Sequence, residues 1–338
     1  MNLHPNMLSV DLLAEMNPAA QTFTSRVVQR LLRVFGGSLA LSVVLAQPFA
    51  ASAADTGTTF ATPEEAVAAL VHATSAQDGE ALRAIFGPAA AEIQNPDRVQ
   101  ATNEFETFSA ALTATNRLTH ESATKCVLEV GPGLWPFPIP IVKEDGRWFF
   151  DTAAGEDEIL SRRIGKNELA TLEVMRAYVS AQREYASRDR DGSEVLKYAQ
   201  NLMSSPGTKD GLYWDPNLDG EISPLGPLIA EAQEEGYRAK PRAEDSGPSP
   251  FHGYYFKMLK RQGRHAPGGK YDYVINGNMI GGFALVAWPA SYGDSGVMTF
   301  IVNQQGRVYQ KDLGPKTESV ARKMKAYDPD ASWRLSPD

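Results

Sequence analysis

The sequence predicts an α+β fold in two parts. A small helix-plus-curved-sheet domain comes first, followed by a long helix and an antiparallel β-meander. Three observations predict it. Helical periodicity dominates residues 63–115 and gives way to short alternating segments between 126 and 151. Helical spacing returns over 156–187, and strand-like segments separated by turn residues fill 252–312. Helices grouped before strands, twice over, read as two α+β layers rather than as an alternating βαβ chain.

Ahead of both lies a segment with the order of an export signal. Arg26, Arg30 and Arg33 form a positive flank, and Val34 to Ala46 form a short apolar run. Gln47 and Pro48 break that run, and Ala51-Ser52-Ala53 supplies the small-x-small pattern of a cleavage site. The run is about 13 residues, short of the roughly 20 that span a bilayer. Residues 1–53 are therefore expected to be a cleaved signal peptide, with Met16 an alternative start to Met1. The mature protein is expected to be periplasmic or secreted, with no membrane anchor. No adjacent arginine pair and no cysteine near the cleavage site suggest a twin-arginine or lipid-attached form.

The net charge is −8, and the leader contributes more basic than acidic groups. Such acidity disfavours nucleic acid and anionic lipid as partners. Cys126 is the only cysteine, so no intramolecular disulfide supports the fold, and a buried thiol is the expected role.

The first domain is expected over residues 54–155. Thr62-Pro63-Glu64-Glu65 forms a capping box with proline at the first helical position. Ala66, Val67, Leu70 and Val71 then recur at helical spacing. Asp78-Gly79 interrupts, and Leu82, Ile85 and Phe86 make a second helix stopped by Gly87-Pro88. Phe105, Phe108 and Leu112 mark a third over about 102–115. Residues 126–130 and 147–151 read as strands around an Asp145-Gly146 turn. Prolines 136, 138 and 140 confine the run 135–142 to an edge or an extended crossing.

The second domain is expected over residues 156–338. Its long helix, 156–187, carries Gly165, where a split into two is expected. A loop-rich stretch, 188–250, follows, with helical pieces at 194–203 and 225–235. Strands are expected at 252–260, 271–275, 282–288, 297–303 and 307–312, with a hairpin turn at 304–306 and a closing helix at 318–327.

FATPEEAVAALVHATSAQDGEALRAIFG and the hairpin FPIPIVKEDGRWFFDTAAG resemble the start and end of a nuclear-transport-factor-2-like domain. That resemblance implies a sheet curled around helices into a cone with a pocket. GGFALVAWPASYGDSGVMTFIVNQQGRVYQKDLG resembles the globular head of type IV pilin-like proteins, although the pilin leader junction is absent. Taken whole, residues 60–335 resemble the bacterial exported family called domain of unknown function 2950. RWFFDTAAGEDEILSRRIGKNEL, HGYYFKML, HAPGGKYDYV and NGNMIGGFALVAWPASYGDSGVMTFIVN carry that match. The family brings no activity with it.

Candidate sites are few. Gly293-Asp294-Ser295-Gly296 reproduces a serine-protease tetrapeptide, but no histidine stands in a matching context, and a turn between strands is the expected role. Ser187 to Gly192 and, better, Asp215-Pro216-Asn217-Leu218-Asp219-Gly220 place oxygen groups at alternating positions before a glycine. A loop of that spacing wraps a hard cation. Asp215, Asn217 and Asp219 are therefore the candidate metal ligands, and Ca²⁺ is the one candidate cofactor. The bidentate glutamate such loops use at their twelfth position is replaced by Gly226. His72, His120, His252 and His265 show no zinc spacing, and His265 is expected in a solvated loop. Trp135, Tyr213, Trp214, Tyr254, Tyr255 and Trp288 form either a recognition surface or, by their alternation, core.

No catalytic constellation is complete. The sequence therefore points to a non-enzymatic envelope protein that binds a protein partner through its pilin-like β face or its cone-shaped first domain. The alternative is a small-molecule enzyme, of isomerase or hydrolase type, using a pocket in the N-terminal domain.

Overall fold

A computed structural model describes residues 57–190, 192–237 and 250–337. The expected leader lies outside these residues. The chain forms two compact units. Residues up to 93 together with 105–161 make the first, and residues 94–104 together with those from 162 onward make the second. The expected boundary at 155/156 falls within a helix.

In the first unit, α1 spans Pro63–Ser75. Thr62 caps it by accepting from the Glu65 amide at 3.2 Å, and Glu65 reaches back to the Ala61 amide at 2.9 Å. Ala66, Val67, Leu70 and Ala73 form its buried stripe. The second helix, α2, spans Gly79–Phe86 and starts on Asp78, whose carboxylate accepts from two amides. The third, α3, spans Arg98–Ala114, its residues up to Glu104 belonging to the second unit. It begins earlier than its apolar pattern suggests because Asp97 accepts from the Val99 and Gln100 amides.

Five antiparallel strands follow: β1 Asn116–Ser122, β2 Lys125–Val130, β3 Trp135–Pro136, β4 Ile141–Glu144 and β5 Arg147–Phe150. Their order is β1-β2-β4-β5, with β3 also beside β2. Pro138 and Pro140 fall in the break between β3 and β4, where no ladder amide is needed. Asp145 and Gly146 both take positive φ, at 49° and 79°, as a two-residue hairpin turn requires. Cys126, Leu128, Val130, Ile141 and Phe150 from the sheet share one core with α1 and α2. β1 is a strand that the sequence patterning did not reveal, and it is the edge of this sheet.

The long helix α4 spans Thr152–Tyr185 without interruption. Gly165 does not split it. A lone glycine costs about 1 kcal/mol relative to alanine, too little to break a helix anchored along its length by packing. Instead of the helix expected at 194–203, β6 (Asn201–Met203) pairs in parallel with β7 (Gly211–Tyr213). A helix does form at α5, Gly226–Glu234. The remaining strands are β8 Tyr254–Leu259, β9 Arg261–Gln262, β10 Tyr271–Asp272, β11 Val274–Ile275, β12 Asn278–Met279, β13 Ala284–Pro289, β14 Met298–Asn303, β15 Tyr309–Asp312 and β16 Arg334–Leu335.

The main sheet of the second unit runs β16-β15-β14-β13-β8, antiparallel throughout. Every residue of β13 is buried, so this strand is covered on both faces. Met175, Tyr178 and Val179 of α4 join its core, and the Tyr178 hydroxyl donates to the Ala284 carbonyl at 3.2 Å. The closing helix α6, Thr317–Lys323, packs on β13 but stops short of residue 327. Tyr327 is extended instead: its amide donates to Arg261 O and its carbonyl accepts from the Gly263 amide. The fold is thus mixed α+β, with a long helix followed by a strand meander. Among the described residues, no helix is long and apolar enough to cross a membrane.

Candidate functional site

The first unit carries an open cleft of about 890 Å³ between α1 and β1. One wall is the helical stripe Glu64, Val67, Ala68, Val71, His72, Ser75 and Ala76. The other is Asn116, Leu118 and His120, alternate residues of one strand face. Cross-strand pairing explains why space is left there. Asn116, Leu118 and His120 stand opposite Val130, Leu128 and Cys126, so the six side chains share a face. The β2 members are buried, whereas Asn116 and His120 are exposed and Leu118 is half-buried. The core face of the sheet continues onto β1 without cover.

The polar groups of the cleft are a carboxylate, Glu64, two imidazoles, His72 and His120, the Ser75 hydroxyl and the Asn116 amide. Nδ1 of His120 lies 3.1 Å from Sγ of Cys126. Burial, reinforced by the negative charge of Glu64, pushes the Cys126 thiol above its ordinary value. That is the opposite of what an activated thiolate nucleophile needs. The pair anchors the imidazole at the cleft wall.

A second polar cluster belongs to the second unit. The Tyr237 hydroxyl donates to Asp97 Oδ2 at 2.7 Å. His252 takes a positive φ of 46°, and its Nε2 faces Glu235 Oε2 at 3.3 Å. Burial, and then Lys166, hold the His252 pKa below its ordinary value, while burial raises that of Glu235. The imidazole is therefore neutral beside this carboxylate at neutral pH. Close by, Asn167 accepts from the Gln100 amide group and donates to the Ser295 carbonyl, both at 2.9 Å.

The protease-like tetrapeptide is a turn, as its composition suggests. Ser295 Oγ donates to the Gly253 carbonyl and accepts from the Ser291 amide, each at 2.9 Å. Asp294 pairs with Arg163. Ser295 is 1 % exposed, and its hydroxyl is consumed in holding the β13–β14 connection against Gly253.

Asp215, Asn217 and Asp219 lie together on a short 3₁₀ turn, Pro216–Leu218. Asp215 Oδ1 accepts from the Asn217 amide and side-chain nitrogen, at 2.9 and 2.8 Å. Asp219 accepts from the Glu221 amide and from the Lys209 ammonium, which also reaches Glu221. A lysine thus stands among the oxygens that a cation would use. Among the described residues, no group of three or more His, Cys, Asp or Glu is arranged to hold a metal ion. The weaker loop at 187–192 includes Asp191, which lies outside the described residues.

His265 sits in its expected loop and faces Asp328 at 3.1 Å. Of the aromatic set, Trp214, Tyr254 and Trp288 are buried, and Tyr213 and Tyr255 pack against the same core. Trp135 packs against the core of the first unit. The set is interior, not a recognition surface.

Sequence reasoning missed the β1 half of the cleft. Asn116-Arg117-Leu118-Thr119-His120-Glu121-Ser122 contains a single apolar residue, because an edge strand with an uncovered face lacks the alternation that marks a half-buried one. Glu64 was legible only as part of a capping box, and His72 only as a histidine without zinc spacing.

No curated protein and no solved structure matches the chain. Residues 57–335 match the family described as "Protein of unknown function (DUF2950)". That match covers most of the chain, which therefore belongs to this family.

Proposed function

We propose that this chain is an exported, non-enzymatic envelope protein that binds its partner in the α1–β1 cleft of the first unit. The observation that carries the reading is the uncovered inner face of β1. Leu118, Val67 and Val71 give the cleft an apolar lining, and Glu64, His72 and His120 supply a few polar groups to orient what enters. The resemblance of this half to nuclear-transport-factor-2-like domains, and of the second half to pilin-like heads, supports binding scaffolds on both counts. Fold alone assigns no activity.

The rival is an isomerase or hydrolase using the same cleft. Acid–base chemistry there would fall to Glu64, His72 and His120. The raised thiol pKa of Cys126 and the absence of a carboxylate orienting either imidazole among the described hydrogen bonds speak for the binding reading.

Affinity capture from an envelope extract tests it, comparing residues 54–338 with the Val71→Arg variant. The wild type is expected to retain a component that the variant loses. Identical retained sets would overturn the assignment of the cleft.

A further inference from the structure

We infer that the cleft takes an extended peptide of a partner protein, added as a further antiparallel strand on the free edge of β1. This inference deepens the binding reading above and rests on it. The argument begins with the direction of the backbone groups. Thr115 O accepts from the Gly131 amide at 2.8 Å, whereas Leu128 O is taken on the far side of β2 by the Phe137 amide at 2.7 Å. In an antiparallel pair, hydrogen-bonded and non-hydrogen-bonded positions alternate. Arg117 and Thr119 therefore bond to β2, and Asn116, Leu118 and His120 turn their amides and carbonyls outward. Among the described residues, no strand pairs with them.

These are the same three residues whose side chains wall the cleft. The coincidence is geometric. A strand added at this edge would pair residue for residue with 116, 118 and 120, and the paired side chains would project onto the same face, beneath α1. The cleft occupies the place of a sixth strand. Main-chain hydrogen bonds then supply affinity, and alternate side chains in the cleft supply specificity.

The chemistry of the occupant follows from the wall. The position opposite Leu118 faces Val67 and Val71 and takes an apolar side chain. Glu64 is the one carboxylate in the lining, and its charge is felt at Cys126, the cross-strand partner of His120. The position paired with His120 therefore takes a lysine or arginine. The occupant is short. The ladder slips between His120 and Ser122, a bulge that ends regular pairing. That bulge also disfavours a second copy of β1, since in a two-fold pairing each copy would set its bulge against the other's ladder.

The test is selection from a displayed library of random octapeptides on residues 54–338, with Val71→Arg as counter-selection. Selected peptides should carry an apolar residue two places from a lysine or arginine. Each is then synthesised with N-methyl groups on alternate amides, in the two possible registers. One register should weaken binding at least about tenfold, the scale of a single lost edge interaction, and the other should leave it unchanged. Leu118→Pro removes an outward amide together with an apolar side chain of the wall, and should give a loss at least as large, so the methylated pair is what separates strand addition from side-chain packing. Should that variant fail to fold, the methylated pair decides. Equal binding by both registers overturns strand addition while sensitivity to Val71→Arg still reports the cleft. Failure to select any peptide over the counter-selection also overturns it, and the envelope capture then tests cleft binding by itself.

Discussion

His252 presents Nε2 to Glu235 Oε2 at 3.3 Å while its Nδ1 is buried without a hydrogen-bond partner. Lys166, Asp97 and Glu104 also act on the ring, the lysine lowering its pKa and the two carboxylates raising it. Burial outweighs the carboxylates, so the folded protein binds the imidazole proton less readily than the unfolded chain does. As pH falls through about 6.5, the unfolded state gains the proton first and stability is lost. Glu235, shifted upward, has the opposite sign: its folded form holds a proton to higher pH, so acid stabilises through it, beginning above the ordinary carboxylate range. From about pH 7.5 to 6, around the ordinary histidine pKa, the His252 contribution is lost. The melting temperature is expected to fall across that interval, and His252→Gln is expected to flatten the fall. Parallel curves for the two proteins would refute the assignment.

The Ser295 hydroxyl bridges Gly253 and Ser291 inside the second unit. Ser295→Ala leaves the Ser291 amide without its partner, while the Gly253 carbonyl keeps the Ala290 amide, at about 1–3 kcal/mol for a buried group left unsatisfied. Chemical denaturation should show that loss. Reaction with a fluorophosphonate serine probe should be absent in both proteins, since among the described residues no imidazole hydrogen-bonds to the Ser295 hydroxyl. Labelling of the wild type at Ser295 would restore a nucleophilic role.

The same serine shows how much was legible in the sequence. Turn chemistry was readable, because Gly293 takes φ 84° and Gly296 lies where a Cβ would strike the Tyr254 hydroxyl, 2.1 Å away. Strongly patterned elements were readable too: α1 by its capping box, and β13 and β14 by their apolar runs. What failed depended on distant partners. Tyr327 left its helix to pair with Arg261 and Gly263, and β6 formed because β7 lay beside it. The cleft failed for the same reason: β1 is a strand only because β2 pairs with it, and nothing in its composition announces that. The cluster of His252, Glu235, Tyr237 and Asp97 joins segments some 140 residues apart, beyond the reach of local spacing.

Lys209 gives the calcium question a direct form. Its ammonium is held by Asp219 and Glu221, and these carboxylates hold its pKa above the ordinary value. A bound divalent ion would have to displace it. Melting of the wild type is therefore expected to be the same with excess Ca²⁺ and with EDTA. In Lys209→Ala the carboxylates face one another without the ammonium, and Ca²⁺ is expected to raise the melting temperature. A calcium-dependent shift in the wild type would overturn that expectation and restore the 215–219 loop as a candidate calcium site.

Arg190 is the cation whose loss should cost most. Its side chain is 4 % exposed and pairs with Glu221. The guanidinium lies 5.3 Å from the ring centre of Trp214 and 5.7 Å from that of Tyr185, and Nε donates to the Tyr185 carbonyl. Arg190→Ala leaves that carbonyl and Glu221 without this partner, although Lys209 still neutralises the carboxylate. Breaking a fully buried pair typically costs about 3–5 kcal/mol, and with Glu221 31 % exposed and the lysine remaining the expectation lies below that range. Arg190→Lys should rescue little, because a point charge cannot lie against two rings while reaching a carboxylate and a carbonyl. Equilibrium unfolding in urea measures all three proteins. If Arg190→Lys matches the wild type, charge alone is sufficient and the stacking between Tyr185 and Trp214 contributes nothing; if it falls with Arg190→Ala, the planar fork is what holds the end of α4 against the β7 loop.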